Sequence, residues 1–141
     1  MILKTIEYTV KGEEMLVLIN VAEEVRKKFG DKCSKEIYSY IKDLIIEKPD
    51  ERAINDLMLI KRIFSNETRA SILLLLSQAS LPVCALASII NKDQTLISHN
   101  LSILRKLNII REKKVGKYRI YSLNKAKLRE KIEHAFSALL R

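Results

Sequence analysis

The sequence predicts a mainly α-helical fold that carries one small β-hairpin. Three observations lead there. Gly occurs 3 times and Pro 2 times in 141 residues, against an abundance of Leu, Ile, Lys and Glu, which favours helices joined by short turns. Apolar residues recur at helical spacing over most of the chain. Over residues 109–123 the period falls to two, around a central Gly116. Hydrophobic residues make up 48% of the chain, enough for a core, and the length suits one domain with an appendage rather than two full domains.

The elements follow in order. Ile2, Ile6, Tyr8 and Val10 alternate with Leu3, Thr5, Glu7 and Thr9, which reads as a short strand ending at Lys11-Gly12. From Glu13, the set Met15, Leu18, Ile19, Ala22, Val25 and Phe29 predicts a helix, with Gly30 as its stop. Ser34 is placed to cap a second helix with Ile37, Ile41, Leu44 and Ile45 on one face, ended by Pro49-Asp50. A third helix starts near Asp50 and carries Ile54, Leu57 and Met58. Ser65 or Asn66 caps the next, in which Ile72 to Leu76 is apolar nearly all round, the pattern of a central buried helix.

After a loop around Ala79 to Pro82 comes a short helix from Cys84 to Ile90, then a turn at Asn91-Lys92-Asp93. Asp93 is a good N-cap for a longer helix reaching Leu107, with Leu96, Ile97, Leu101, Leu104 and Leu107 turned inward. Asn108 suits the stop because Asn tolerates a left-handed backbone. Ile109 to Lys114 and Tyr118 to Leu123 form the hairpin, with one wet, basic face. Asn124 caps a last helix whose stripe is Leu128, Ile132, Ala135, Phe136 and Leu139. The expected organisation is an N-terminal extension over 1–50, a winged helix-turn-helix over 51–124 and a C-terminal helix over 125–141.

Charge narrows the function. The net charge is +9, and residues 92–131 alone hold 12 basic residues against 3 acidic ones, the footprint expected for nucleic acid. A short helix, a tight turn, a longer helix and a basic hairpin suit a duplex, because the major groove admits one α-helix and residues near its N-terminus reach base edges. Gln94, Thr95, Ser98, His99, Asn100 and Ser102 are polar side chains at the positions a groove would meet. Lys92, Arg105, Lys106, Arg111, Lys113, Lys114, Lys117 and Arg119 would neutralise backbone phosphates.

These residues carry a family resemblance. Phe64-Ser65-Asn66-Glu67-Thr68-Arg69, Leu81-Pro82-Val83-Cys84-Ala85-Leu86-Ala87, Ser98-His99-Asn100-Leu101, Leu104 to Ile110 and Gly116 to Leu123, in that order, resemble the ArsR family of winged-helix repressors over residues 54–124. The resemblance implies a homodimer that binds a near-palindromic operator in double-stranded DNA and pairs through its first and last helices. Leu128, Ile132, Ala135, Phe136 and Leu139 are then the expected dimer contacts; the competing role is a cap on the chain's own core.

Many relatives sense a soft metal through paired cysteines in a Leu-Cys-Val-Cys-Asp stretch. Here that stretch is Leu81-Pro82-Val83-Cys84-Ala85, and one thiol makes no closed thiolate site, so Cys84 is expected to be a small core residue. Other relatives hold zinc on the last helix, which here offers Glu130, Glu133 and His134, read as a solvated face. No metal and no cofactor is expected. The two cysteines, Cys33 and Cys84, form no CxxC motif, and with no signal-like N-terminus or long apolar run a cytoplasmic location without membrane contact is expected.

The expected function is therefore a DNA-binding transcriptional regulator, with a weakly specific chromatin-coating protein as the alternative. An enzyme is disfavoured, since no phosphate loop, nucleophile elbow or ligand pair is found. Zinc added to the purified protein should leave its DNA affinity within about tenfold, because the thiolate pair that would couple metal to structure is missing; a titration of duplex binding with and without zinc checks this.

Overall fold

The computed structural model describes residues 6–11, 14–30 and 35–140. Expectations for Ile2, Leu3, Thr5, Gly12, Glu13, Cys33 and Ser34 lie outside these residues. The chain divides into two compact units at Arg52/Ala53.

In the first unit, β1 (Ile6–Lys11) pairs antiparallel with β2 (Glu14–Asn20), Ile6 opposite Ile19 and Lys11 opposite Glu14. α1 (Val21–Phe29) follows at once: the Asn20 side chain accepts from Glu23 N at 3.2 Å, and Gly30 ends the helix at φ 57°. The expected helix over 13–29 is thus a strand followed by a helix. Met15 to Ile19 is an uninterrupted apolar run with no period of its own, and pairing with β1 decides its conformation. α2 (Lys35–Ile41) is shorter than expected, because Ile45 and Ile46 belong to β3 (Ile45–Glu47), which pairs with β2.

The second unit is the winged helix-turn-helix. α3 (Glu51–Ile63) leads to α4 (Glu67–Leu76), whose cap is Asn66, accepting from Arg69 N at 2.8 Å. α5 (Val83–Ile90) and α6 (Gln94–Lys106) form the helix-turn-helix. Asn91 closes α5 at φ 59°, and Asp93 caps α6 by accepting from Leu96 N at 2.8 Å. β5 (Ile110–Val115) and β6 (Tyr118–Leu123) make the wing. An unexpected two-residue strand, β4 (Leu81–Pro82), pairs with β6, giving the order β4-β6-β5. α7 (Lys125–Ser137) is capped by Asn124, whose Nδ2 also donates to Asn108 O at 3.3 Å. No helix among the described residues is long and apolar enough to cross a membrane.

One core joins these elements. Ile63, Ile72, Leu73, Leu76, Leu86, Ala87, Ile97, Leu101, Leu104, Ile109, Ile110 and Tyr121 are buried together, with Leu59, Ile60, Leu123 and Leu128 packed around them. Within it lies a polar knot. Arg69 donates through Nε to Asn100 Oδ1 (3.0 Å) and through Nη1 to Arg62 O (2.5 Å) and Ser65 Oγ (2.8 Å). These acceptors are neutral, but Arg62 O lies in the last turn of α3, where the carbonyl ends of the helix carry partial negative charge. Asn100 uses its other end as well, donating to Leu96 O at 2.9 Å.

Two substitutions measure this core. Asn100→Ala strips a buried guanidinium of its carboxamide and should cost about 2–3 kcal/mol in urea denaturation. Leu101→Ala, at a fully buried site, should cost about 2–5 kcal/mol in the same measurement.

Candidate nucleic-acid interface

α6 has two faces set by its period. Ile97, Asn100, Leu101 and Leu104 recur at i, i+3, i+4 and i+7 and are buried. Gln94, Thr95, Ser98, His99, Ser102, Arg105 and Lys106 are exposed, as is Lys92 in the preceding turn. The structure therefore separates the expected set at one point. Asn100 is 2% exposed, and its amide is engaged by Arg69 and Leu96, with Asn66 Nδ2 also near its Oδ1 at 3.4 Å. It is a core residue rather than a surface one, and its place three residues after Ile97 was the signal for it. Leu96, expected inside, sits one residue ahead of that stripe and is 38% exposed.

The wing also has two faces. Cross-strand pairs Ile110–Leu123, Glu112–Tyr121 and Lys114–Arg119 share one of them. Ile110 and Tyr121 root this face in the core, and Lys114 and Arg119 continue it toward the exposed tip. Arg111, Lys113 and Lys117 are exposed as well. Gly116 turns the hairpin at φ 61°, a left-handed value that suits glycine. At the root, Ser80 Oγ and Ser122 Oγ are 3.0 Å apart and share a hydrogen bond.

Glu112 was not among the expected site residues. It is the one acidic residue between Gln94 and Arg129. Its carboxylate pairs with Arg105 of α6 through Oε2 and with Arg119 of β6 through Oε1, the latter at 3.0 Å. The Tyr121 hydroxyl donates to Oε1 at 3.4 Å. Burial, reinforced by the nearby Glu112 charge, raises the Tyr121 phenol above its ordinary value and keeps it a neutral donor. The only advance signal for Glu112 was its sign, opposite to everything around it.

The positions read for metal chemistry also moved. Cys84, expected in the core, is exposed. Val83, Leu86, Ala87 and Ile90 take the inward positions of α5, which leaves Cys84 on the outer side. His134, read as part of a solvated face, has Nδ1 2.5 Å from Asp56 Oδ2 on α3, although it stays half exposed. That carboxylate oxygen is buried and lacks an aligned hydrogen bond, so the contact is one of proximity. Among the described residues no three His, Cys, Asp or Glu side chains gather to hold a metal. A single thiol and one Asp–His pair do not fit a closed soft-metal centre.

Of the expected dimer stripe, Ala135 is buried within the chain, Leu128 packs on the core and Ile132 is partly buried. Phe136 and Leu139 remain exposed, with Leu140 beyond them and with Ile54 and Met58 on α3.

The chain is similar to proteins already known. Residues 66–112 match the family model described as bacterial regulatory protein, arsR family. A cadmium resistance transcriptional regulatory protein CadC homolog of Staphylococcus aureus is 33% identical over 96 residues, covering 67% of this chain and 75% of that protein. The arsenical resistance operon repressor of Escherichia coli is 38% identical over 64 residues, covering 45% of this chain and 55% of that protein. Among solved structures, a homodimeric winged helix-turn-helix DNA-binding domain from Mycobacterium bovis is similar at TM-score 0.51 and 22% identity, covering 64% of this chain and 87% of that one. A crystal structure of an ArsR family transcriptional regulator is similar at TM-score 0.52 and 19% identity, covering 64% and 90%. The structural likenesses establish the fold and the sequence relatives establish the lineage: the chain belongs to the ArsR family of winged helix-turn-helix, DNA-binding transcriptional regulators.

Proposed function

We propose that this protein is a homodimeric repressor whose two α6 helices enter successive major grooves of a near-palindromic operator while the wings grip the flanking backbone. One observation carries the reading: the exposed face of α6 holds polar side chains and no carboxylate, and it is continued by a basic hairpin in the same unit. Gln94, Thr95, Ser98, His99 and Ser102 are the base-reading candidates. Lys92, Arg105, Lys106, Arg111, Lys113, Lys114, Lys117 and Arg119 contact phosphates. Asn100 is left out because it is buried.

The dimer reading rests on α3 and α7. The Asp56–His134 pair links these helices at one point, and Ile54, Met58, Phe136 and Leu139 stay exposed on them. Exposed apolar residues on two helices suit a self-complementary contact. The M. bovis neighbour is described as homodimeric, which agrees. The repressor role follows the E. coli relative's description as an operon repressor. In this reading residues 125–141 are the dimerisation helix, and residues 1–50 extend the scaffold with exposed apolar side chains such as Phe29, Tyr40 and Ile45.

Binding to genomic fragments over a series of salt concentrations tests the function. A site-specific regulator keeps a preference of about 10³ or more over random DNA, whereas a coating protein does not. Gln94→Ala or Ser98→Ala should change sequence preference by about 1–3 kcal/mol. Lys113→Ala or Lys117→Ala should weaken all sequences alike and lower the magnitude of the salt slope by about 0.9. Sedimentation at micromolar concentration checks the dimer, and a monomer there rejects it.

A further inference from the structure

A carboxylate in the middle of a polyanion-binding surface opposes binding unless it has a task. Glu112 is such a carboxylate, and its surroundings define the task. Its side chain is only 12% exposed, whereas those of its partners Arg105 and Arg119 are 58% and 67% exposed. The carboxylate thus lies beneath the guanidiniums, and they face outward over it. Together with Lys114, the three line an open cleft of about 290 Å³ between the C-terminal end of α6 and the wing. Three cations against one anion leave that cleft with a surplus of positive charge.

The backbone explains why the cluster assembles. Arg105 is in the last turn of α6, and only Leu107, Asn108 and Ile109 separate that helix from β5. Glu112 then points to the same side of the hairpin as Tyr121, Lys114 and Arg119. Arginine pairs well here because its planar fork can give one N–H to a carboxylate and present others elsewhere. A long side chain tethered in this way has already lost much of its rotamer freedom before a ligand arrives.

We propose that Glu112 is the positioning residue of the DNA-binding surface, tying Arg105 of α6 to Arg119 of the wing so that the two guanidiniums, with Lys114, seat one backbone phosphate of a duplex. The proposal rests on α6 and the wing being the DNA-binding elements. It adds a sign that electrostatics alone reverses: removing this negative charge weakens binding to a polyanion. A carboxylate that merely occupied the phosphate's place, to be displaced by DNA, has the opposite effect when removed.

The test uses the full chain and a mixed-sequence duplex long enough for two half-sites, with binding followed by fluorescence anisotropy over a range of salt. Glu112→Gln keeps the shape and removes the charge. It should weaken binding about tenfold and lower the magnitude of the salt slope by about 0.9, as the contact to that one phosphate is lost. Glu112→Asp should stay within about threefold of the parent, since it keeps the charge that holds both arginines. The double variant Arg105→Ala/Glu112→Gln should bind no more weakly than Arg105→Ala, because the two act through one seat. A residue that only stabilises the fold leaves the salt slope unchanged.

If Glu112→Gln binds as tightly as the parent or tighter, the positioning role is overturned while the DNA-binding reading stands. If the parent binds no duplex at low salt, both fall. Should Glu112→Gln not fold, the Arg105→Ala and Arg119→Ala pair decides. Losses that overlap by about tenfold support a shared seat, and independent losses overturn it.

Discussion

The interaction on which the rest of the DNA-binding unit depends is the hydrogen bond from Arg69 to Asn100. An amphipathic helix is held against a core by apolar burial, which is strong but has no direction. Ile97, Leu101 and Leu104 alone leave α6 free to settle with a small roll or slide. The Asn100 carboxamide removes that freedom, because a buried guanidinium meets it at one place and the same guanidinium is fixed to the end of α3. One residue of roll turns the helix by about 100° and would carry Ser98 and Ser102 to another side of the unit. The roll of the exposed polar face is thus set from the interior, by a residue that faces away from solvent.

The wing is fixed by a similar division of labour. Its root is apolar: Ile110 and Tyr121 belong to the core, and β4 pairs with β6 beside them. Its middle is ionic, where Glu112 spans from hairpin to helix. Helix and wing therefore share a core at one level and a charge cluster at the next. Exposed ion pairs contribute little by themselves. This one is largely covered on its acidic side and is shared among three partners, which favours a defined geometry over a large gain in stability.

What could be read in advance divides along the range of the interactions involved. Caps are local, so Asp93, Asn108 and Asn124 declared the ends of α6 and the start of α7 from their types and neighbours. The hairpin was legible because two short runs of apolar and charged residues flank one glycine, and β6 runs over the expected Tyr118–Leu123. The N-terminal segment was misread because Met15 to Ile19 and Leu44 to Ile46 are continuous apolar runs. They suit a strand or a helix equally, and pairing across the sheet decides between them. Asn100 was placed on the wrong face through its polarity, although its position was that of a core residue. Asp56 was missed because its partner is distant in sequence, and Glu112 because its partners lie on α6 and on the opposite strand of the hairpin. Only folding brings Arg105, Arg119 and His134 to them.

The hairpin's construction has a mechanical consequence. It is anchored at Ile110 and Tyr121 and braced at Glu112, and the three residues of β5 beyond the brace extend for about 10 Å at strand rise. Such a strip is a cantilever, stiff at its base and increasingly compliant toward Gly116. Duplex grooves vary in width with sequence, and in the proposed complex a cantilever accommodates that variation by bending its tip while the helix at its base keeps its alignment. In the proposed complex, tolerance and discrimination are thereby housed in different stretches of the same unit, so substitutions near Gly116 adjust grip without altering what α6 reads.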